Sequence, residues 1–363
     1  MAFDLDSALA RSVAAGASDL HLKVSSVPHM RVDGDLVDLP ENDPLEPQDT
    51  ARVKDQVLTT EVKQRQFEEI GSTDVSYFTD EARFRVSAFL QRGSASFVFR
   101  VVPAAPDVSA LGLPPVIPSW ADAMRGLVVV TGPTGSGKST TVAAIIDIVN
   151  QRRSCHILTI EDPIEYLHAD NKAVVCQREI GLDAPTYHIA LRAALRQDPD
   201  VIVIGEVRDE ETAMTALRAA ETGHLVLCTM HTVNATETVQ RFIDLFGDRQ
   251  VGLARKVLSS TLVGISSQRL LPGANGGRVL NAEVLVNTAR IRDMIAQEAD
   301  EKDIQQAIFE GDYYGMQTFD QDLMRKVRDG LVTMEDAVAY ATDAHDFRLA
   351  LKTAEPVPQR ARG

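Results

Sequence analysis

The segment VVVTGPTGSGKSTT, residues 128–141, predicts the architecture of this chain. An apolar, β-branched run enters a glycine-rich turn, and a helical pattern, TTVAAIIDIV, follows from Thr140. The turn has the spacing GxxxxGK[ST], in which backbone N–H groups and the helix N-terminus converge on phosphate oxygens. Because strand, turn and helix occur in the order that this phosphate-binding loop requires, the segment indicates a nucleotide site on an α/β sheet.

The predicted loop contains one lysine and one hydroxyl with separate tasks. Lys138 is expected to reach the β- and γ-phosphates of ATP, and Ser139 to hold Mg²⁺ through its hydroxyl, since this ion needs few protein ligands. The predicted cofactors are therefore ATP and Mg²⁺. The loop is expected to contact the nucleotide along Gly132, Pro133, Thr134, Gly135, Ser136, Gly137, Lys138, Ser139 and Thr140.

Buried strands are predicted at four apolar segments: LVVVTG (127–132), CHILTI (155–160), VIVIGE (201–206) and HLVLCTMH (224–231). They alternate with helical patterns, which is typical of a parallel sheet covered on both faces. VIVIGE is expected beside the P-loop strand, where Glu206 could hold the magnesium ion through water. A solvated glutamate at a strand end is the alternative.

Acidic residues follow the second of these strands directly, in ILTIEDPIEYL (157–167). Ligands of parallel α/β sheets gather at the carboxyl ends of the strands, so these acids indicate a catalytic position. Glu165 is the candidate general base for the attacking water, while Glu161 and Asp162 would shape the turn or support the metal. Spacing alone does not rank the three.

Two histidines flank the fourth strand, His224 before it and His231 at its end. Either one alone is typical of an ordinary core or surface residue. As a pair they could sense or contact the γ-phosphate. Arg208 and Asp209, just after Glu206, could form a surface ion pair of little energetic value.

Composition excludes several classes of protein. Asp and Glu number 52 against 37 Lys and Arg, and a net charge of -15 would repel a phosphate backbone, so no nucleic-acid partner is predicted. The three cysteines form no CxxC pair, which disfavours a zinc site. The N-terminus lacks the basic start of a signal peptide, and no apolar run approaches the ~20 residues of a membrane span. A cytoplasmic location is expected.

The chain is expected to contain two domains. Residues 1–102 are predicted to be a small α+β domain, with a hairpin turning at Asp33-Gly34, a loop over 40–50, one polar helix to about Ile70 and a second hairpin before Val102. A proline-rich linker is predicted at 103–120, the ATPase core at 121–287 and a helical region at 288–353. Residues 354–363 are expected to form a disordered tail.

Four motifs resemble, in order and spacing, the Walker A, Asp box, Walker B and His box of the secretion ATPase superfamily. They are GPTGSGKSTT, TIEDPIEY, QDPDVIVIGEVRDEETA and TGHLVLCTMHT. Within that superfamily the chain is most similar to the PilT-like ATPases that retract type IV pili in twitching motility. The resemblance extends to ASDLHL (17–22), MRVDGDL (30–36) and residues 315–351.

The resemblance implies a PAS-like first domain, a RecA-like second domain and a ring of six subunits. It implies a motor that hydrolyses ATP and acts on a PilC-like platform protein of the inner membrane, with only peripheral attachment to the membrane. It also implies that Glu165 is catalytic, that Glu206 serves magnesium and that both histidines link nucleotide state to the domain interface. Arginines of the first domain would contact the phosphates: Arg85 and Arg100 are the matching candidates, ahead of Arg83 and Arg92, although a solvated strand face is the alternative.

One departure from the family pattern bears on the direction of the motor. The retraction signature AIRNLIRE is represented by RIRDMIAQ (290–297), in which Ala296 and Gln297 stand where the family has Arg and Glu. A long N-terminal region and a paired-CxxC module, usual in assembly and type II secretion relatives, are absent, which favours retraction. The alternatives are a PilU-like accessory subunit with little turnover, a pilus-assembly or type II secretion ATPase, and a nucleic-acid translocase.

Overall fold

The computed structural model describes residues 3–40 and 42–353. The chain divides into two compact units, Met1–Ala104 and Ala105–Gly363. Residues 354–363, the predicted tail, lie outside the described residues.

The first unit is an antiparallel sheet with the strand order β3-β2-β1-β6-β5-β4. Its strands are β1 (Asp19–Leu22), β2 (His29–Val32), β3 (Asp35–Asp38), β4 (Ser72–Phe78), β5 (Arg83–Gln91) and β6 (Ser94–Val101), and its helices are α1 (Leu5–Ala14), α2 (Pro47–Val57) and α3 (Glu61–Ile70). Apolar residues of the helices, such as Leu9, pack on Phe84, Phe97 and Phe99 of the sheet. This unit therefore has a core of its own.

The first unit agrees with the prediction in its first hairpin and differs in its helices and in one strand. The Asp33-Gly34 hairpin is confirmed, with φ angles of 51° and 94° that bring Val32 opposite Asp35. The predicted single polar helix is two helices, and its start at Pro47 shortens the predicted loop. Strand β4 was missed because it is an edge strand whose residues are mostly exposed or half-buried, so its sequence lacks a clear apolar alternation.

The second unit contains a seven-stranded sheet in the order β13-β12-β7-β11-β10-β8-β9. Its strands are β7 (Gly126–Thr131), β8 (His156–Glu161), β9 (Val174–Glu179), β10 (Val201–Ile204), β11 (Leu225–Met230), β12 (Leu262–Pro272) and β13 (Arg278–Val286). All neighbouring pairs are parallel except β12 and β13. Helices α5 (Lys138–Arg152), α6 (Tyr187–Ala194), α7 (Glu210–Glu221), α8 (Ala235–Asp244) and α9 (Val251–Thr261) cover the sheet.

The predicted position of Glu206 beside the P-loop strand is wrong. Strand β11 lies between β7, which leads into the P-loop, and β10, which precedes Glu206. The register pairs Cys228 of β11 with Val129 on one side and with Ile204 on the other. Crossover helices let a parallel sheet insert a later strand between two earlier ones, so chain order did not reveal the neighbours.

The segment predicted as a linker, 103–120, contains regular structure. A 3₁₀ turn at Val108–Ala110, helix α4 (Val116–Ser119) and a second 3₁₀ turn at Trp120–Asp122 follow one another. Ile117 and Trp120 are buried in the core of the second unit. A Cβ atom at Gly264 would lie 2.5 Å from the Trp120 ring, so only glycine leaves room for this contact.

The predicted helical C-terminal region is confirmed. It contains α10 (Ala289–Ala296), α11 (Glu301–Phe309), α12 (Phe319–Arg328), α13 (Met334–Tyr340) and α14 (Ala344–Thr353), with a 3₁₀ turn at Asp312–Tyr314. Among residues 3–40 and 42–353, no helix has both the length and the apolar character needed to cross a membrane.

Candidate active site

The P-loop connects β7 to α5 through three glycines with positive φ. Gly132, Gly135 and Gly137 have φ angles of 143°, 79° and 89°. At Gly132 a Cβ atom would lie only 2.3 Å from the backbone oxygen of Gln268, so a side chain is excluded there. The glycines that the phosphate-binding pattern requires are therefore also the ones that this local backbone requires.

Lys138 extends its side chain back over the loop. Its Nζ donates to the backbone oxygens of Gly132 at 2.8 Å and Pro133 at 3.0 Å. Burial lowers the pKa of this lysine, and the carboxylates of Glu206 and Glu165 oppose that decrease. The ammonium group thus lies within electrostatic reach of both predicted catalytic acids.

A pocket of about 460 Å³ opens at the carboxyl ends of the central strands. The predicted catalytic and metal-binding residues of this unit line it, apart from His224: Lys138, Ser139, Glu165, Glu206 and His231. Of the other predicted loop residues, Thr134, Gly135, Gly137 and Thr140 line it too. Gly132, Pro133 and Ser136 belong to the loop but are not among the described lining residues. Arg208, Tyr187 and Arg278 also line the pocket, and burial raises the pKa of Tyr187.

The acids after β8 have different surroundings. The Glu161 carboxylate accepts hydrogen bonds from Thr159 Oγ1 at 2.6 Å, from Gln177 Nε2 at 3.1 Å and from the backbone of Glu165. Burial raises the pKa of Glu161, and these hydrogen bonds oppose the increase. Both acids line the pocket, but the Glu161 carboxylate is held in the turn by these bonds, whereas the Glu165 side chain is exposed. Asp162 also lines the pocket and precedes Pro163 in a cis peptide bond.

Two residues that sequence reasoning missed stabilise this acidic turn. Gln177 on β9 donates to the backbone oxygen of Tyr166 at 2.9 Å and accepts from the backbone N–H of His168 at 3.0 Å. The Tyr166 hydroxyl lies 2.9 Å from Thr140 Oγ1, which joins the turn to helix α5. No signal pointed to Gln177, because β9 itself was not predicted.

Glu206 lies at the centre of a small charged group. Its Oε2 accepts from Arg208 Nη2 at 2.5 Å and lies 3.4 Å from His231 Nε2. This hydrogen bond raises the pKa of Arg208. The predicted surface pair of Arg208 with Asp209 is wrong: Asp209 instead accepts from the backbone N–H of Thr212 at 2.8 Å and caps α7.

The two histidines do not meet in this unit. His231 follows the carboxyl end of β11 and lines the pocket. His224 precedes the amino end, where its Nδ1 lies 2.9 Å from the backbone oxygen of Ala219, and it is not among the described lining residues. At ~3.3 Å per residue, the strand separates the two by about 20 Å. The predicted joint contact of this pair with one γ-phosphate is therefore not formed within the unit.

The arginines predicted to contact phosphate lie in the first unit. Arg85 on β5 and Arg100 on β6 are direct cross-strand partners. Arg100 Nε donates to Asp19 Oδ1 at 2.8 Å, with 69% of the Arg100 side chain exposed, and Arg85 is exposed as well. Of the weaker candidates, Arg92 occupies the β5–β6 turn with φ of 53° and Arg83 begins β5.

The pocket offers oxygen ligands of the kind that magnesium prefers. The Ser139 hydroxyl and the Glu206 carboxylate line the same cavity as Lys138. Mg²⁺ takes hard oxygen donors and is commonly held by one or two protein groups together with substrate phosphates. The residues present therefore fit this ion.

Comparison with known proteins gives the family. The sequence profile described as Type II/IV secretion system protein matches residues 4–339. The chain belongs to the Type II/IV secretion system protein family. Because the matched residues include parts of both units, the predicted fold class is confirmed together with the family.

Individual members of the Type II/IV secretion system family are similar over nearly the whole chain. The type IV pilus retraction ATPase PilT of Pseudomonas aeruginosa is 44% identical over 95% of this chain and 100% of its own length. The type IV pilus ATPase PilU of the same organism is 39% identical over 94% of this chain and 89% of its own.

A crystal structure of the pilus retraction motor PilT with bound ADP matches with a TM-score of 0.83 and 44% identity, over 95% of this chain and 98% of that one. The ATPase DotB of Legionella pneumophila matches with a TM-score of 0.72 and 28% identity, over 93% of this chain and 95% of its own. The predicted α/β architecture is thus confirmed for this member of the Type II/IV secretion system family.

Proposed function

We propose that this chain is a magnesium-dependent ATPase that powers retraction of type IV pili in twitching motility. The observation that carries the proposal is that Lys138, Ser139, Glu165 and Glu206 line one pocket. Positioning and electrostatic stabilisation supply most of the catalysis in phosphoryl transfer, and these four residues provide the groups that such catalysis uses. The retraction role is supported by 44% identity to PilT over the full length of that protein.

The binding half of the site holds the phosphates. Backbone N–H groups between Gly132 and Lys138 and the N-terminus of α5 would receive phosphate oxygens. Lys138 would exchange its contacts with the loop oxygens for the β- and γ-phosphates. Ser139 and Glu206 would hold Mg²⁺, which when bound neutralises charge on the phosphate oxygens.

The catalytic half prepares the water. Glu165 accepts a proton from the attacking water or orients it, because its carboxylate faces the pocket while Glu161 is occupied in the turn. His231 contacts Glu206, so it would respond to the state of the carboxylate that is proposed to hold magnesium. Arg85 and Arg100 would supply positive charge to the transferred phosphate.

The proposed assembly is a homo-hexamer in the cytoplasm. It acts on a PilC-like inner-membrane platform protein and attaches to the membrane only through that partner. No nucleic-acid partner is proposed, since the net charge of -15 opposes one.

Steady-state hydrolysis of ATP by Glu165→Gln tests the enzyme assignment, with Glu161→Gln as the matched comparison. Loss of a positioned base costs roughly 10² to 10⁴-fold in rate, so Glu165→Gln should lose at least ~100-fold while ADP still binds. Glu161→Gln should lose thermal stability more than turnover. Equal losses in both, or an active Glu165→Gln enzyme, would contradict the assignment of Glu165.

Deletion of the gene tests the direction of the motor. A retraction ATPase predicts that surface pili accumulate and twitching stops. Loss of pili would instead indicate an assembly ATPase. Normal pili with weakened twitching, together with low turnover of the purified chain, would favour a PilU-like accessory, which 39% identity to PilU keeps as the second candidate.

A further inference from the structure

Strand β12 carries three consecutive polar residues in the interior of the second unit. Ser266, Ser267 and Gln268 are each 0% exposed. Burying polar groups costs free energy unless each finds a hydrogen-bond partner. Such a run in the middle of a sheet therefore indicates that these side chains make specific hydrogen bonds, and the partners of those bonds identify the part of the molecule that they hold.

Gln268 lies against both ends of the P-loop: Gly132, where the loop begins, and helix α5, which follows it. Its Nε2 donates to Thr141 Oγ1, in the first turn of α5, at 2.8 Å and to Ser266 Oγ at 3.2 Å. Its backbone oxygen lies 2.3 Å from the position that a Cβ atom of Gly132 would occupy. One residue of β12 thus touches the start of the loop with its backbone and the helix after it with its amide.

The register of β12 against β7 accounts for this placement. Ser267 lies opposite Thr131, the last residue of β7, and accepts a hydrogen bond from Thr131 Oγ1 at 2.9 Å. Because this buried hydroxyl pair fixes the register, the next residue of β12, Gln268, lies beside Gly132, the residue that follows Thr131. Because successive side chains of a strand point to opposite faces, Gln268 then faces α5 and reaches Thr141.

We propose that Gln268 is a positioning residue for the nucleotide. It holds the first turn of α5 at the distance from Gly132 at which the loop N–H groups and Lys138 converge on the phosphates. Gln268 is not among the residues that line the described pocket, so it acts through Thr141 and the loop rather than by contact with the ligand. This inference rests on the proposed function of the P-loop.

The affinity of the full-length chain for ADP tests the proposal. Gln268→Met keeps the length of the side chain and removes its amide, so the Kd for ADP should rise about tenfold. Thr141→Val should raise it similarly, while Thr141→Ser keeps the hydroxyl and should stay within about twofold of the natural protein. If the two residues act through one contact, the Kd for ADP of the double variant, Gln268→Met with Thr141→Val, should be no higher than that of the weaker-binding single variant.

Gln317 provides the matched control. It is 5% exposed, and its Nε2 donates at 2.6 Å to the backbone oxygen of Ala282, the β13 residue paired with Gln268, rather than to the P-loop or to Thr141. Gln317→Met should lower the midpoint of thermal unfolding and leave the Kd for ADP within about twofold, because its loss is only structural.

Two results would overturn the inference. One is a folded Gln268→Met variant whose Kd for ADP matches that of Gln317→Met. The other is a double variant whose fold-increase in Kd for ADP is the product of the two single increases, because the effects of independent contacts multiply in this way. Failure of the natural protein to bind ADP would instead contradict the proposed function, so the two failures are distinguishable.

Discussion

Glu161 and Glu165 follow the same strand, yet their surroundings suit them to different tasks. Three hydrogen bonds and burial commit the Glu161 carboxylate to the turn. The Glu165 side chain is exposed and lines the phosphate pocket. A general base must reach the water that it activates, so accessibility rather than spacing favours Glu165.

Replacement of Lys138 by alanine should abolish function by removing the only side-chain cation of the loop. We expect ATP hydrolysis to fall at least ~100-fold, since charge on the transferred phosphate would go uncompensated. Steady-state phosphate release measures this. Lys172→Ala, which removes an exposed lysine of the same unit, should stay near the natural rate. Appreciable turnover by Lys138→Ala would remove the P-loop assignment.

His168 should make the second unit sensitive to acid. Burial lowers its pKa from 6.5 to about 4, so the folded chain keeps the ring neutral while the unfolded chain takes up a proton. Stability from this group is complete above pH 6.5 and is lost as pH falls towards 4, a change of about 3 kcal/mol.

Thermal unfolding at pH 7 and pH 5 checks the effect of His168. In His168→Leu the midpoint should fall less between the two pH values than in the natural protein. The exposed His345 is the control, and the midpoint of His345→Leu should fall between the two pH values more than that of His168→Leu does. If His168→Leu retained the full acid sensitivity, another group would be responsible.

The glycines of the P-loop differ in how much room each leaves for a side chain. Gly132→Ala should abolish ADP binding, because its Cβ would overlap the Gln268 backbone oxygen at 2.3 Å. Gly135 also has positive φ, but no atom lies within 4 Å of its added Cβ. Gly135→Ala should therefore cost only about 1 kcal/mol of strain and bind ADP measurably. Isothermal titration with ADP compares the variants, and equal loss in both would show that φ strain rather than overlap controls the loop.

Strands differed in how well their sequences predicted them. Strands β7, β8, β10 and β11, whose interior residues are all buried, were predicted, because a strand covered on both faces needs a continuous apolar run. Strand β12 was missed because SSQ interrupts its apolar pattern, although all three residues are buried. Their partners, Thr131 and Thr141, are distant in sequence, so the interior position of the run was not visible locally.

At the level of the whole molecule, the nucleotide pocket should be separable from the first unit. Every described residue that lines it, from Thr134 to Arg278, belongs to the second unit, which has its own core. Residues 105–353 expressed alone should therefore bind ADP within about threefold of the full-length Kd, a difference of less than 1 kcal/mol. Titration of both proteins with ADP measures this. A much weaker isolated unit would show that the first unit contributes to binding.

Local sequence was sufficient to predict the P-loop and the set of candidate acids, because each of these lies within one strand and the turn after it. It also predicted the α/β class, because the apolar strands alternate with helical patterns along the chain. Pairing between distant segments was needed for the rest. It put β11 between β7 and β10, separated His224 from His231, held the Glu161 carboxylate in hydrogen bonds while leaving Glu165 exposed, and placed Gln268 against the loop. These outcomes depend on which strands become neighbours and which side chains are buried between them. Such contacts join residues far apart in the chain, and no local pattern records them.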